Sequence, residues 1–147
     1  MVRVSKEEYY LDIAEHVLER STCLRRRYGA VIVNNDEIVS TGYNGSARGD
    51  INCCDRGVCR REELGVPKGE RYELCRAVHA EQNAIISAAR RDMINSTIYI
   101  VGKELDGQYA NPKPCLLCSR MLKNAGVTTV LGRGTAGDII ELAVAEL

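Results

Sequence analysis

Apolar positions along this chain fall into short blocks that switch between two periods. Tyr10, Ile13, Ala14 and Val17 recur at helical spacing, which predicts a helix from Ser5 to Arg20. Ser5 with Glu8 three residues on has the form of a capping box. The period then changes. Gly29-Ala30-Val31-Ile32-Val33 is a continuous β-branched run of strand length, Asn34-Asn35-Asp36 is turn chemistry, and Glu37 to Thr41 returns as a second strand. Helical spacing resumes over His79 to Arg90, with Ala84, Ile85 and Ala88 to one side. Thr97 to Val101 reads as a third strand, Gly102 to Pro114 as a loop, and Cys115 to Asn124 as a helix stopped near Gly126. Val127 to Leu131 is a fourth strand and Ala136 to Glu146 a last amphipathic helix; no fifth strand stands out. An opening hairpin followed by alternating helices and strands predicts an α/β sandwich with a mixed sheet.

One stretch has neither period. Ser46 to Leu74 carries Cys53, Cys54, Cys59 and the run Arg60-Arg61-Glu62-Glu63, and Pro67 and Gly69 break any long helix there. An irregular Cys-rich insertion at about 46–74 is expected, with one short helix near Cys59 to Leu64. No repeat or linker divides the chain, so residues 1–147 are expected to form one domain, and 45% hydrophobic residues suffice for one core. Lys plus Arg number 20, as do Asp plus Glu, so no bulk charge draws nucleic acid. Neither a signal peptide nor a run of eighteen apolar residues is present, so no membrane partner and a cytoplasmic location are expected. Seven cysteines without a secretion signal then point to metal ligation ahead of disulfides.

The strongest chemical pattern is His79-Ala80-Glu81 followed by Pro114-Cys115-Leu116-Leu117-Cys118. H-x-E … P-C-x-x-C is the signature of the zinc deaminases. Zinc takes imidazole nitrogen and thiolate sulfur, and a catalytic site keeps one of four positions for water. His79, Cys115 and Cys118 supply three ligands, which leaves Glu81 to move protons. Both motifs fall at helix starts, where the dipole favours thiolate at Cys115 and neutral imidazole at His79. Cys115 and Cys118 share a helical face; His79 and Glu81, two apart, do not, so spacing leaves that pair unexplained. A lone C-x-x-C also suits a redox pair, but the preceding proline and the H-x-E argue for metal. His16 is either a ligand or an ordinary surface histidine. Arg25, Arg26 and Arg27 are either a solvated turn or an anion site. Asn44-Gly45 is a turn signal with no hairpin partner after it, which suggests a working loop.

Cys23-Leu24-Arg25-Arg26, Gly29 to Val33, Thr41-Gly42-Tyr43-Asn44-Gly45 and the two zinc motifs together resemble the cytidine and deoxycytidylate deaminase family, most of all its dCMP deaminases. The resemblance implies a three-layer α-β-α sandwich and zinc-dependent hydrolysis of dCMP to dUMP and ammonia, supplying dUMP for thymidylate synthesis. It implies a nucleotide substrate, dCTP and dTTP as effectors, and a homo-oligomer, often a hexamer. It places Asn44 on the sugar or base and Arg26 or Arg27 on the 5′-phosphate. Tyr99 is either near the base or an ordinary strand aromatic, and Arg90 either an allosteric or interface residue or an ordinary surface arginine. The long charged segment Gly102 to Lys113 departs from the family pattern. A second, structural zinc is expected on Cys23, Cys53, Cys59 and Cys75, the resemblance selecting Cys53 over Cys54. Two rival readings remain: another deaminase of the superfamily, or a non-catalytic zinc-binding accessory protein on the same fold. The acidic residues Asp138, Glu141 and Glu146 near the C-terminus argue against a tRNA substrate, and retention of Glu81 argues for catalysis.

Overall fold

The computed structural model describes residues 1–147. Helix α1 spans Lys6–Val17 and a 3₁₀ turn, Leu18–Arg20, extends it. Ser5 Oγ accepts the Glu8 N–H at 3.1 Å, capping the helix as expected. The Glu8 carboxylate, however, turns to the guanidinium of Arg133 instead of closing a capping box. The buried stripe is Tyr10, Leu11, Ala14 and Leu18, with Ile13 and Val17 half-buried beside it.

Strands β1 (Arg26–Asn34) and β2 (Glu37–Tyr43) form the hairpin. A two-residue ribbon, β3 (Gly45–Ser46) with β4 (Ala77–Val78), ties the GYNG segment to the chain just before His79. Between them the insertion folds into two single turns, α2 (Cys53–Arg56) and α3 (Arg60–Glu63). It is anchored on Thr22, whose carbonyl accepts the Cys54 N–H at 3.0 Å. Helix α4 (Ala80–Ile86), the turn α5 (Arg90–Met93), strand β5 (Thr97–Glu104), helix α6 (Leu116–Ala125), and strands β6 (Thr129–Arg133) and β7 (Ile139–Ala143) complete the chain. The main sheet runs β2-β1-β5-β6-β7, with β5 and β6 parallel and every other pair antiparallel.

Strand alternation divides the core into two layers. Ala30, Ile32, Ile98, Ile100 and Val130 face α4 and α6, with Ala80, Ala84 and Leu122 packed on them. Val31, Val33, Tyr99 and Val101 face α1. The result is the α-β-α sandwich with a mixed five-stranded sheet.

Three expected elements differ. The helix of 79–90 ends at Ile86, where Ser87 leaves the helical path, and α5 begins only at Arg90. Gly102 to Pro114 is not all loop: β5 runs on to Glu104, Glu104 N–H bonds Gln108 at 2.8 Å, and Ala110 N–H bonds Gly102 at 2.8 Å. Its charges are used, Lys103 toward Glu15 and Glu104 toward Arg26. The expected C-terminal helix is strand β7. Ile139, Ile140, Leu142 and Val144 fit period 3.6 and period 2 alike, but β6 offers a free edge and a turn at Gly137 (φ +81°) folds the chain back onto it. Leu142 and Val144 then face the core while Glu141 and Ala143 point outward.

Candidate active site

Two helix N-termini meet on the α4–α6 face of the sheet. His79 is the N-cap of α4, with extended backbone (φ −72°, ψ 156°), and Cys115 is the N-cap of α6 (φ −68°, ψ 170°). This resolves the awkward H-x-E spacing. His79 is not yet helical while Glu81 is in the first turn, so no shared helical face is required. Gln82 Oε1 accepts the His79 N–H at 2.9 Å and fixes the entry into the helix. Cys115 Sγ accepts the Cys118 N–H at 3.5 Å. Strand β2 holds α4 from below: Ser40 Oγ donates to the Ala84 carbonyl at 2.6 Å and Asn83 Nδ2 to the Tyr43 carbonyl at 2.8 Å. Gly42 permits that approach, since a Cβ there would lie 2.4 Å from the Ala80 carbonyl oxygen.

His79 Nδ1 lies 3.5 Å from Cys115 Sγ and 3.3 Å from Cys118 Sγ. These three form the one group of potential ligands whose donor atoms all lie within 4.8 Å of one another. Zinc bonds of about 2.0–2.1 Å to nitrogen and about 2.3 Å to sulfur separate tetrahedral donors by roughly 3.5 Å, so the trio fits zinc. Of the three, only Cys115 is held in the deprotonated form that zinc takes. Hydrogen bonds from Cys118 and then His79 hold the Cys115 thiol down to about 4, against the cost of burial. The Cys118 thiol is raised, first by its bond to Cys115 and then by burial. Contact with Cys115 raises His79, outweighing both burial and the helix-start effect expected to favour neutral imidazole.

Glu81 is buried, 7% exposed, and has no ion-pair partner. Burial raises its carboxyl above the usual range; its own backbone amide, His79 and Cys118 draw it part of the way back. An unpaired buried acid costs stability, and its place beside three metal-ligating atoms is a reason to keep it.

Sequence reasoning missed three neighbours. Tyr72, in the 3₁₀ turn Tyr72–Leu74 of the insertion, sets its ring edge-on to His79 with centroids 5.6 Å apart. Arg61 lies over the Tyr72 ring at 5.1 Å and donates to the Pro67 and Glu70 carbonyls at 3.0 and 2.6 Å. Tyr28, its hydroxyl pushed up to about 12 mainly by burial, stays protonated and donates to the Asn111 carbonyl at 2.9 Å. No local pattern marks these residues; only the insertion folding back onto His79 brings Arg61 and Tyr72 there.

The other candidates divide by strand parity. Arg26 shares its face of β1 with Tyr28 and Ala30, toward the site, and pairs with Glu104 at 2.9 Å. Arg27 lies on the α1 face beside Lys103, its register partner. Tyr99 is also on the α1 face, its ring 5.1 Å from Tyr10, so it packs as a strand aromatic and the expected place near the base is corrected. Asn44 is buried; its Oδ1 accepts from Ser21 Oγ (2.6 Å) and the Tyr28 N–H (2.8 Å), and its Nδ2 donates to the Arg26 carbonyl (2.9 Å). It braces the segment that carries Arg26. Arg90 donates to the Asn124 carbonyl at 2.9 Å, at the end of α6 opposite Cys115. His16 is exposed beside Glu19. Cys23, Cys53, Cys59 and Cys75 line one cleft together, but no three of their sulfurs come within 4.8 Å of one another.

Two facing helix starts thus present an imidazole and two thiols that fit a zinc ion, with a buried acid beside them. The chain belongs to the family described as the cytidine and deoxycytidylate deaminase zinc-binding region, whose model matches residues 4–132. It is 35% identical over 136 residues to the deoxycytidylate deaminase of Mycobacterium phage D29, covering 89% of this chain and 96% of the relative. It is 33% identical over 129 residues to that of Schizosaccharomyces pombe, covering 88% of this chain but 37% of the longer yeast protein. The solved dCMP deaminase of cyanophage S-TIM5, in complex with dCMP and dUMP, is 27% identical with a TM-score of 0.61, covering 90% of this chain and 85% of that one. No helix is long and apolar enough to cross a membrane.

Proposed function

We propose that the protein deaminates dCMP to dUMP and ammonia. The observation that carries this reading is Glu81, buried without an ion-pair partner beside the His79, Cys115 and Cys118 donors. A purely structural metal site would gain nothing from it. Zinc, held by those three residues, would supply the Lewis acidity that makes water a nucleophile near neutral pH. Glu81 takes the proton of the attacking water and returns it to ring nitrogen N3, then assists the departing amine. The water oxygen ends on C4 and the C4–N bond breaks. Preference for a nucleotide is supported by the relatives' substrate and by Arg26 on the site face of β1. The test is ammonia release from dCMP, deoxycytidine, cytidine, guanine and an adenosine-containing tRNA. dCMP turning over best is expected; equal rates on dCMP and deoxycytidine would overturn the nucleotide assignment.

Three further properties belong to the same reading. A second, structural zinc on Cys23, Cys53, Cys59 and Cys75 is supported by their common cleft and by the burial of Cys53 against the exposure of Cys54. The Cys23 and Cys75 sulfurs each accept a backbone N–H from two residues on, at 3.4 Å, which orients both. Exposed Ile86, Leu116 and Leu117 on the α4–α6 layer support self-association, a hexamer by resemblance. Activation by dCTP and inhibition by dTTP, with Arg90 at the responding surface, would appear as sigmoidal kinetics; hyperbolic kinetics indifferent to both would remove regulation from the reading.

A further inference from the structure

A metal-ligating histidine is ordinarily oriented through its second ring nitrogen, which donates to a carboxylate or a carbonyl. His79 has no such partner. Its Nδ1 faces the Cys115 and Cys118 sulfurs at 3.5 and 3.3 Å, and no carboxylate or carbonyl of the chain hydrogen-bonds Nε2. As the N-cap of α4, His79 also stands outside the helix, where the rotamer limits of a helix interior do not apply. Rotation of the imidazole about its Cβ–Cγ bond would carry Nδ1 away from the sulfurs.

The contact that remains is with Tyr72. The two rings meet at 87° with centroids 5.6 Å apart, the geometry of a favourable edge-to-face pair. Tyr72 is itself held from two sides. Arg61 lies over its ring at 5.1 Å, and one nitrogen of that guanidinium donates to the Pro67 and Glu70 carbonyls at 3.0 and 2.6 Å. On the backbone side, the Cys75 N–H bonds the Tyr72 carbonyl at 2.9 Å, and β4 pairs with β3 two residues later.

Two members of this chain of contacts are costly to keep. Arg61 is 7% exposed, meets carbonyls and not carboxylates, and leaves its Nε buried without a hydrogen bond. Arg71, the residue before Tyr72, takes a left-handed backbone (φ 51°, ψ 52°), uncommon for any residue but glycine. Strain of this kind gathers where the geometry of a site is being set. Here both costs fall on the residues that fix the Tyr72 ring.

We infer that Tyr72, clamped by Arg61, is a positioning residue for His79, so that the folded insertion sets the orientation of the metal-ligating imidazole. An aromatic contact takes the place of the hydrogen bond that usually orients such a histidine. The kinetic part of the test rests on the deaminase reading above; the metal part rests only on His79 as a ligand.

The experiment compares wild type with Tyr72→Phe, Tyr72→Leu, Arg61→Met and the double variant Arg61→Met with Tyr72→Leu. Zinc affinity is measured by competition with a chelator, the ion in question being the one missing from His79→Ala. Kinetics are taken on dCMP, and limited proteolysis reports whether the insertion stays closed. Tyr72→Leu should weaken that zinc by about 10- to 100-fold and lower kcat with KM little changed. Tyr72→Phe, which keeps the ring, should stay near wild type in both. Arg61→Met should move in the same direction as Tyr72→Leu, and the double variant should lose no more than Tyr72→Leu alone, because the two residues act in series. Arg61→Met keeps the aliphatic stem and decides the matter if Tyr72→Leu does not fold. Wild-type zinc affinity in the folded variants would overturn the inference. So would an equal loss in Tyr72→Phe, or a loss accompanied by rapid cleavage of the insertion, which would mean general loosening. If wild type deaminates no compound of the panel, the function reading fails by itself, and the zinc affinities still judge the role of Tyr72.

Discussion

Gly42→Ala is expected to disable the site while leaving the protein folded. The added Cβ would lie 2.4 Å from the Ala80 carbonyl oxygen and 2.4 Å from the Ala84 nitrogen, where ordinary contact begins at 3.4 Å. Both atoms are backbone of α4, so no side-chain tip can swing aside. Strand and helix must part by about 1 Å. His79 and Glu81 ride on the start of α4 while Cys115 and Cys118 ride on α6, so the movement falls on the His79–sulfur separations of 3.3 and 3.5 Å. A misplacement of that size costs about 10²-fold in rate. Overpacking costs about 1–3 kcal/mol, less than the roughly 5–15 kcal/mol of a typical domain. The measurements are kcat on dCMP, zinc per chain after dialysis against a weak chelator, and Tm. A loss of kcat near 10²-fold with weaker zinc retention and a Tm lower by a few degrees is expected. Ser40→Ala, which removes the 2.6 Å bond to Ala84 without adding bulk, serves as control and should cost far less activity. Near-normal kcat with zinc fully retained in Gly42→Ala would refute the claim that this glycine sets the position of the catalytic helix.

Glu81→Gln should lower turnover by about 10²–10⁴-fold with the catalytic zinc still bound; loss of that metal would instead make Glu81 a ligand. Wild type purified without added zinc should carry two zinc per chain and Cys59→Ser one, with limited proteolysis then cutting the insertion. One zinc in wild type, with five freely titrating thiols, would remove the structural site. The Lys6 ammonium, then the Tyr10 hydroxyl at 2.6 Å, hold the Asp36 carboxyl below its usual range. A lowered carboxyl stabilises the fold above its unfolded pKa of about 3.9, and that contribution is lost as pH falls through the folded value. Asp36→Asn should therefore flatten the dependence of Tm on pH below about pH 4; an unaltered acid limb would show that the contact is already present in the unfolded chain.

The elements legible in the sequence are those where period and chemistry agree. β1 is a β-branched run too short for a helix, and the Asn35-Asp36 turn, both residues at positive φ, supports its return as β2. α6 is bounded by Cys115 at its start and Gly126, at φ +91°, just past its end. β7 is different. Its four apolar residues satisfy both periods, and propensity alone cannot choose between them. The choice is tertiary: β6 would otherwise leave an open edge, and the 3.6-residue pattern yields to five paired residues, Ile139 to Ala143. The same limit explains β5 running past Val101 to Glu104. Its last residues are charged, and they are extended because Lys103 and Glu104 find partners on α1 and β1.

The site shows the same division between local chemistry and distant contact. His79, Glu81, Cys115 and Cys118 were legible because ligand chemistry constrains residue type and spacing together. Which of Arg26 and Arg27 faces the site was open until strand pairing gave β1 its parity, after which alternation decides for Arg26. Parity likewise removes Tyr99, since Ile98 and Ile100 take the catalytic face. Arg61 and Tyr72 lay beyond any such argument. Arg61 reads in sequence as part of the basic-acidic run Arg60-Arg61-Glu62-Glu63 on the expected short helix, yet it is the member of that run that is buried. Turn α3 points Arg61 inward, and the chain from Pro67 to Glu70 closes over it with carbonyls rather than carboxylates. A positive charge enclosed in that way is costly without an anion. The closure of the insertion over it, and not the pattern of its neighbours in sequence, places this arginine.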